Sequence, residues 1–336
     1  MLNLKSFFKK TFFIILILFS VFFVYFFVGV SPKAESIEWG VNFSQHHSQA
    51  MGLDWQENYL ALMDDLNVKS IKVSARWDSM EPGDGEYFFE DLDWQVKEAQ
   101  KRGVKILLVI GMKTPRWPEC HIPQWVKDLG EKDHKIAMLA MLTGVVSRYK
   151  DSPALWGWQV ENEPFFPFGE CAFVHWDFLK KEVDLVRSLD PTHPVVVSES
   201  GEGSFWTGAA TYGDVVGITL YQKAWVSQLG IAVDYPFPPV FYWRKAQLIN
   251  TFFDKNTIGV ELQAEPWGPT LLYDLSLEEQ EKTMNPALFK DNIAFAKATG
   301  LDTFYLWGGE WWFWLKDKHD NSLIWEEAKK VFQENL

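Results

Sequence analysis

Along most of the chain, short apolar runs alternate with longer stretches in which apolar residues recur every three or four positions. The short runs, punctuated by Gly, Pro or Asp, read as buried strands. They are IEWGVNF at 37–43, VKSIKVSA at 68–75, VKILLVIG at 104–111 and ALWGWQVE at 154–161. PVVVSE at 194–199, VVGITLY at 215–221, TIGVEL at 257–262 and TFYLW at 303–307 complete the series. Between them, DLDWQVKEAQKRG, KIAMLAMLTGVVSRY and FLKKEVDLVRSL carry helical spacing, and KRGVKI, LDPTHPV and ATGLDT mark the return to a strand. The fifth unit leaves room only for a short helix in 203–212. Alternating β and α elements imply a parallel sheet. Eight such units in about 300 residues predict a (β/α)₈ TIM barrel over 37–336, as one domain.

A different pattern opens the chain. Residues 12–30, FFIILILFSVFFVYFFVGV, contain no charge. As a helix rising ~1.5 Å per residue, they reach about 28 Å, the depth of a bilayer core. Lys5, Lys9 and Lys10 precede the run, while Lys33 and Glu35 follow it. That bias predicts a single-pass anchor with a cytoplasmic N-terminus and an extracytoplasmic body, residues 1–36 being stub, anchor and short linker. A cleaved signal peptide is the alternative, with a secreted product. Its apolar core is usually shorter and ends in a small-x-small site, which VGVSPKAES lacks.

Charge narrows the function. The chain carries −13 at neutral pH; the first 36 residues hold +3, leaving −16 for the body. Such a body repels nucleic-acid phosphates. Its 47% apolar and 23% charged residues suit a globular domain and exclude disorder. All 18 tryptophans lie at or after Trp39, and so many suggest that some line an open cleft.

In a barrel of this kind, reactive groups sit at the C-terminal ends of the strands. Reading those positions gives Asn42 and His46, Arg76 and Trp77, Arg116 and Trp117, then Asn162 and Glu163. Glu199, Tyr221, Glu261 and Trp307 follow. Carboxylates, a phenol and indole rings at one mouth suit sugar chemistry. The sharpest signals are WQVENEP, Trp158 to Pro164, and GVELQAEPW, Gly259 to Trp267. Cleaving a glycosidic bond takes one carboxylic acid to protonate the leaving oxygen and a second carboxylate facing the oxocarbenium-like centre. Glu163 and Glu261, ending strands four and seven, can face each other across the mouth. Tyr221 with Lys72 or Arg76 would keep the second one ionised.

On these motifs the sequence resembles glycoside hydrolases of clan A, the retaining barrel glycosidases that include family 5 cellulases and family 42 β-galactosidases. The resemblance covers nearly all of the chain beyond residue 37, and the segment Arg76 to Trp94, RWDSMEPGDGEYFFEDLDW, shares in it. It implies that Glu163 is the acid/base, that Asn162 binds a sugar 2-hydroxyl, and that Glu261 is the nucleophile. Tyr221 and Trp307 map onto the clan's strand-six Tyr and strand-eight Trp. One departure stands out: the clan often carries an Arg inside the second strand, where this chain has Lys72. Either Arg76 takes that role or the contact to the nucleophile is weaker. The function expected is retaining hydrolysis of a β-linked oligo- or polysaccharide, needing no cofactor and no metal. Transglycosylation would share the same intermediate. A glycan-binding barrel without activity is the alternative from a different class.

Other residues carry two readings each. Glu161 and Glu265 lie close enough to the proposed pair to replace it, or else support the strand mouth and contact substrate. Glu199 is a loop contact or a hydroxyl partner. Trp307 is expected to be a sugar platform and Trp312 and Trp314 to be packing, while Trp77, Trp117 and Trp267 are open either way. Cys120 and Cys171, after neighbouring strands three and four, are a disulfide candidate in an exported protein. His121 and His175 raise a zinc reading that their spacing supports poorly. His46 and His47 either reach the substrate or are solvated. No oligomerisation motif is visible, and the long insertion 222–240 is expected to wall one side of the cleft.

Overall fold

The computed structural model describes residues 4–171, 176–226 and 229–334. Its barrel strands are β1 (Glu38–Phe43), β2 (Ser70–Ser74), β3 (Lys105–Ile110), β4 (Leu155–Val160), β5 (Val195–Ser200) and β6 (Val215–Leu220). After an antiparallel hairpin, β7 (Lys223–Val226) and β8 (Ile231–Asp234), come β9 (Asn256–Gln263) and β10 (Thr303–Trp307). Parallel pairing in the order β1-β10-β9-β6-β5-β4-β3-β2 closes the ring. This is the TIM barrel that the alternating pattern predicts, with observed strand ends within two residues of the expected ones. The fifth unit has a six-residue helix, Thr207–Tyr212.

The barrel interior is filled rather than hollow. Leu107, Val196, Ile258, Val260 and Tyr305 meet across it, and the Tyr305 hydroxyl lies 2.8 Å from Ser70 Oγ. Gly259 is required here, since a Cβ at that position would sit 2.2 Å from the Phe304 ring. Helices cover the outside and bury Leu62, Met141, Leu142, Val145 and Val186 against the strands. Several tryptophans pack into the body with the indole N–H on an acceptor, as burial demands. Trp158 donates to Asp190 and Trp312 to the Ala264 carbonyl, at 2.9 and 2.8 Å.

The apolar N-terminal run forms the helix Leu4–Phe27. Phe8–Phe27 is long and apolar enough to cross a membrane, with mean hydropathy 2.4. The helix end rests on the barrel: Phe26 and Phe27 meet Phe241, and Phe27 also meets Phe237, at centroid distances of 5.5–6.1 Å. Ser31 Oγ donates to the Ala298 carbonyl. The expected short linker therefore lies against the barrel wall.

Candidate active site

Two departures from regular strand geometry aim the key carboxylates. Ile258 and Val260 point inward, so strict alternation would turn Glu261 outward. The pairing of β9 slips between Gly259 and Glu261 against β6, and such a slip redirects a side chain. Glu261 thereby reaches Lys72 on β2, which is not its neighbour in the ring. After β4, Glu161 and Glu163 both adopt left-handed backbone, φ 59° and 44°. That conformation costs roughly 1–3 kcal/mol at each non-glycine position. It splits three consecutive residues among three environments.

Glu161 turns away from the mouth. Its carboxylate accepts the backbone N–H groups of Met112 and Lys113 at 2.9 and 2.6 Å and shares a buried site with Glu182. Burial pushes its pKa up to about 7. Gly111 makes room for it, since a Cβ there would lie 2.4 Å from a Glu161 oxygen. Asn162 accepts from Gln159 Nε2 at 3.1 Å and donates toward Glu119 Oε1 at 3.5 Å. Glu163 accepts from the Thr219 hydroxyl at 2.9 Å, and its backbone N–H donates to Ser198 Oγ at 2.9 Å. Burial first, and the charge of Glu261 second, raise its pKa to about 7.

Glu261 has a different setting. Lys72 Nζ donates to Oε1 at 3.1 Å and the Tyr221 hydroxyl to Oε2 at 2.9 Å. Both oxygens are therefore met by donors, one of them an ammonium, with Lys72 and Glu261 both buried. The Tyr221 ring meets Trp267 edge-on at 5.3 Å. Phe168 links Trp267 to the exposed Trp117, so aromatic rings rim this side of the mouth.

Several expected residues sit elsewhere. Arg76 does not reach the carboxylate pair; it grips Asp78 at 2.6 and 3.1 Å and faces a cleft of about 260 Å³ beside β1 and β2. His46 lines the same cleft, and burial followed by the Arg76 charge depresses its pKa to about 4. Trp307 is buried, with its N–H on Glu265 at 2.8 Å and its ring 4.0 Å beneath the Arg116 guanidinium. Glu265 is thus committed to Trp307 and Arg116. Glu199 caps Ala209 N–H from β5. Cys120 and Cys171 form a disulfide, Cα–Cα 5.2 Å. His175 lies outside the described residues, and among the described residues no cluster of His, Cys, Asp and Glu could hold a metal ion.

The structure adds residues that the pattern of the sequence does not flag. Lys113, fully buried, donates to the carbonyls of Glu163 and Phe166 at 3.0 and 2.9 Å and fixes the loop after β4. It also lies 3.4 Å from Glu119, whose carboxyl is pushed well up by burial despite that ammonium. Glu310 completes a cluster with Arg116 at 2.9 Å.

Comparison with known proteins gives a consistent picture. The glycoside hydrolase family 42 model, described as beta-galactosidase, matches residues 48–129. A mannan endo-1,4-beta-mannosidase F of Aspergillus fumigatus is 27% identical over 175 residues, covering 43% of this chain and 39% of that protein. Endo-1,4-beta-xylanase 3 of Hypocrea jecorina is 25% identical over 189 residues, covering 54% and 51%. The likeness to clan A glycoside hydrolases holds. The chain spans about two fifths of the mannosidase's length and half of the xylanase's. Among solved structures, an exo-beta-1,4-mannosidase from Opitutaceae bacterium strain TAV5 superposes with TM-score 0.58 at 16% identity, over 84% of this chain and 53% of that one. At such identity the match speaks for the barrel fold alone.

Proposed function

We propose that the chain is a retaining glycosidase that hydrolyses a β-linked oligo- or polysaccharide by double displacement. The observation that carries this reading is the contrast between Glu163 and Glu261. Glu163 is buried, has a pKa raised to about 7, and so holds a proton near neutrality. Glu261 is met on both oxygens by Lys72 and Tyr221, donors that suit a carboxylate. One group can give a proton while the other offers an electron pair.

In the first step Glu163 transfers its proton to the glycosidic oxygen as that bond breaks, and Glu261 forms a bond to the anomeric carbon. The leaving sugar departs as an alcohol. In the second step the Glu163 carboxylate takes a proton from water, whose oxygen attacks the anomeric carbon and frees Glu261. In this reading Asn162 would bind the sugar 2-hydroxyl, and Trp267 and Tyr221 would flank the ring. Lys72, standing where the clan often carries an Arg, makes the contact to Glu261, which supports turnover over glycan binding alone. The apolar helix supports export, with the barrel held outside the membrane by an uncleaved anchor.

The test is hydrolysis of aryl β-glycosides and β-linked polysaccharides, with the anomer of the first product followed by NMR. Retained β-configuration supports the reading. An inverted product, or glycan binding without cleavage, rejects it.

A further inference from the structure

The geometry points to Arg116 as an end wall that closes the cleft on the glycone side and makes the enzyme exo-acting. The inference rests on the glycosidase reading above. Arg116 leaves the loop after β3 with left-handed backbone, φ 84°. Its guanidinium crosses the mouth to Glu265, beyond β9, and Glu310, beyond β10. Glu310 also accepts the backbone N–H of Ser44, after β1. One cation thus ties four loops together.

In the ring order, this line leaves the ends of β4, β5 and β6 on one side and those of β1 and β2 on the other. Glu163 and Tyr221 stand on the first side. The cleft of about 260 Å³, with His46, Arg76 and Gln95 in its lining, lies on the second. Beside the bridge, on that second side, the space narrows to about 10 Å³ bordered by Lys72, Ser74, Arg116 and Trp307. That is room for about one water, and no pyranose passes it. The guanidinium also lies over the Trp307 ring, 4.0 Å from its centre, so no sugar stacks on that face.

The direction of the substrate follows from the chemistry. The proton donor must stand beside the leaving oxygen, so the leaving part occupies the β4–β6 side with Glu163. The sugar bonded to Glu261 then points its far end at Arg116. An endo-acting enzyme needs space there for the rest of the chain, and the bridge fills it. The bridge is not a loose surface pair: the side chains of Glu265 and Glu310 are 7% and 0% exposed. Buried carboxylates stripped of their cation are strongly disfavoured, which holds Arg116 in place.

The experiment uses the full chain and β-1,4-linked hexaoses of mannose, xylose, glucose and galactose, labelled at the reducing end. Wild type is expected to shorten its hexaose one sugar at a time from the non-reducing end; internal fragments from wild type overturn the proposal. Arg116→Ala combined with Glu310→Gln, which relieves a stranded charge, is expected to yield internal fragments. An unchanged ladder removes Arg116 as the wall. Arg116→Gln is the second variant if that pair does not fold, with internal fragments again expected. If wild type cleaves no hexaose or aryl glycoside, the glycosidase reading fails by itself, and the wall is read from binding. Opening it is expected to tighten hexaose binding at least tenfold, and an unchanged Kd overturns it.

Discussion

Lys72 Nζ stands 3.1 Å from Glu261 Oε1, at the inner face of the barrel where neither side chain meets bulk water. Burial pulls the lysine pKa down, while the Glu261 charge opposes that shift. A charge-assisted bond in such a site contributes about 1.5–3 kcal/mol. Lys72→Met is therefore expected to lower kcat by about 10- to 100-fold on an aryl glycoside. Tyr221→Phe, which removes the 2.9 Å bond to the other oxygen, is expected to cost about tenfold. Steady-state kinetics check both. Unchanged kcat in Lys72→Met would detach this lysine from the reaction.

The pH profile should carry the signature of Glu163. A proton donor with a pKa of about 7 loses its proton as pH rises through neutrality, so kcat/KM should fall on the alkaline side with a midpoint near 7. Burial is the first cause of the raised value and Glu261 the second. Glu261→Gln should consequently lower the Glu163 pKa while leaving it above the ordinary glutamate range. Titration of the labelled carboxyl by ¹³C NMR checks the shift; a rise would contradict it.

Glu161 and Glu163 differ by two positions and have opposite fates. Glu161→Gln keeps one acceptor for the Met112 and Lys113 N–H groups, so kcat should stay within about tenfold of wild type. Glu163→Gln should lose about 10²–10⁴ on substrates with poor leaving groups. A reversed order of the two effects would exchange their roles.

The disulfide joins residues 51 apart in sequence. Removing such a crosslink by Cys120→Ser with Cys171→Ser is expected to cost about 4 kcal/mol of stability, by the chain-entropy relation. Denaturant unfolding monitored by tryptophan fluorescence measures it. Because Cys120 adjoins Glu119 and tethers the loop after β4, the loss should also raise KM more than it changes the far side of the barrel.

The strands, and the places of Glu163 and Glu261 at the ends of two of them, were legible because both depend on local pattern. Apolar runs announce buried strands, and strand ends name the mouth. The hairpin β7–β8 escaped because its strands pair only with each other, without the apolar run that burial imposes. Glu119, Lys113 and Glu310 escaped for another reason, as did the joining of Arg116 to Glu265. They are single charged residues in loops, and their burial arises only when the loops after β3, β4, β9 and β10 converge. The choice between Lys72 and Arg76 was open in the sequence, since both follow the second strand's pattern. It is decided by direction: Lys72 points into the barrel, whereas Arg76 turns to Asp78 outside it. Trp307 shows the limit of reading a ring as a platform, because Arg116 occupies one of its faces.

The most direct test of the account is covalent trapping. A 2-deoxy-2-fluoro β-glycoside with an activated leaving group slows the second displacement more than the loss of that group, so the glycosyl-enzyme accumulates. Incubated with the full chain and analysed by intact mass and peptide mapping, it should add one fluorosugar, on Glu261. A label on Glu163, Glu161 or Glu265, or turnover with inverted product and no label, would contradict the assignment.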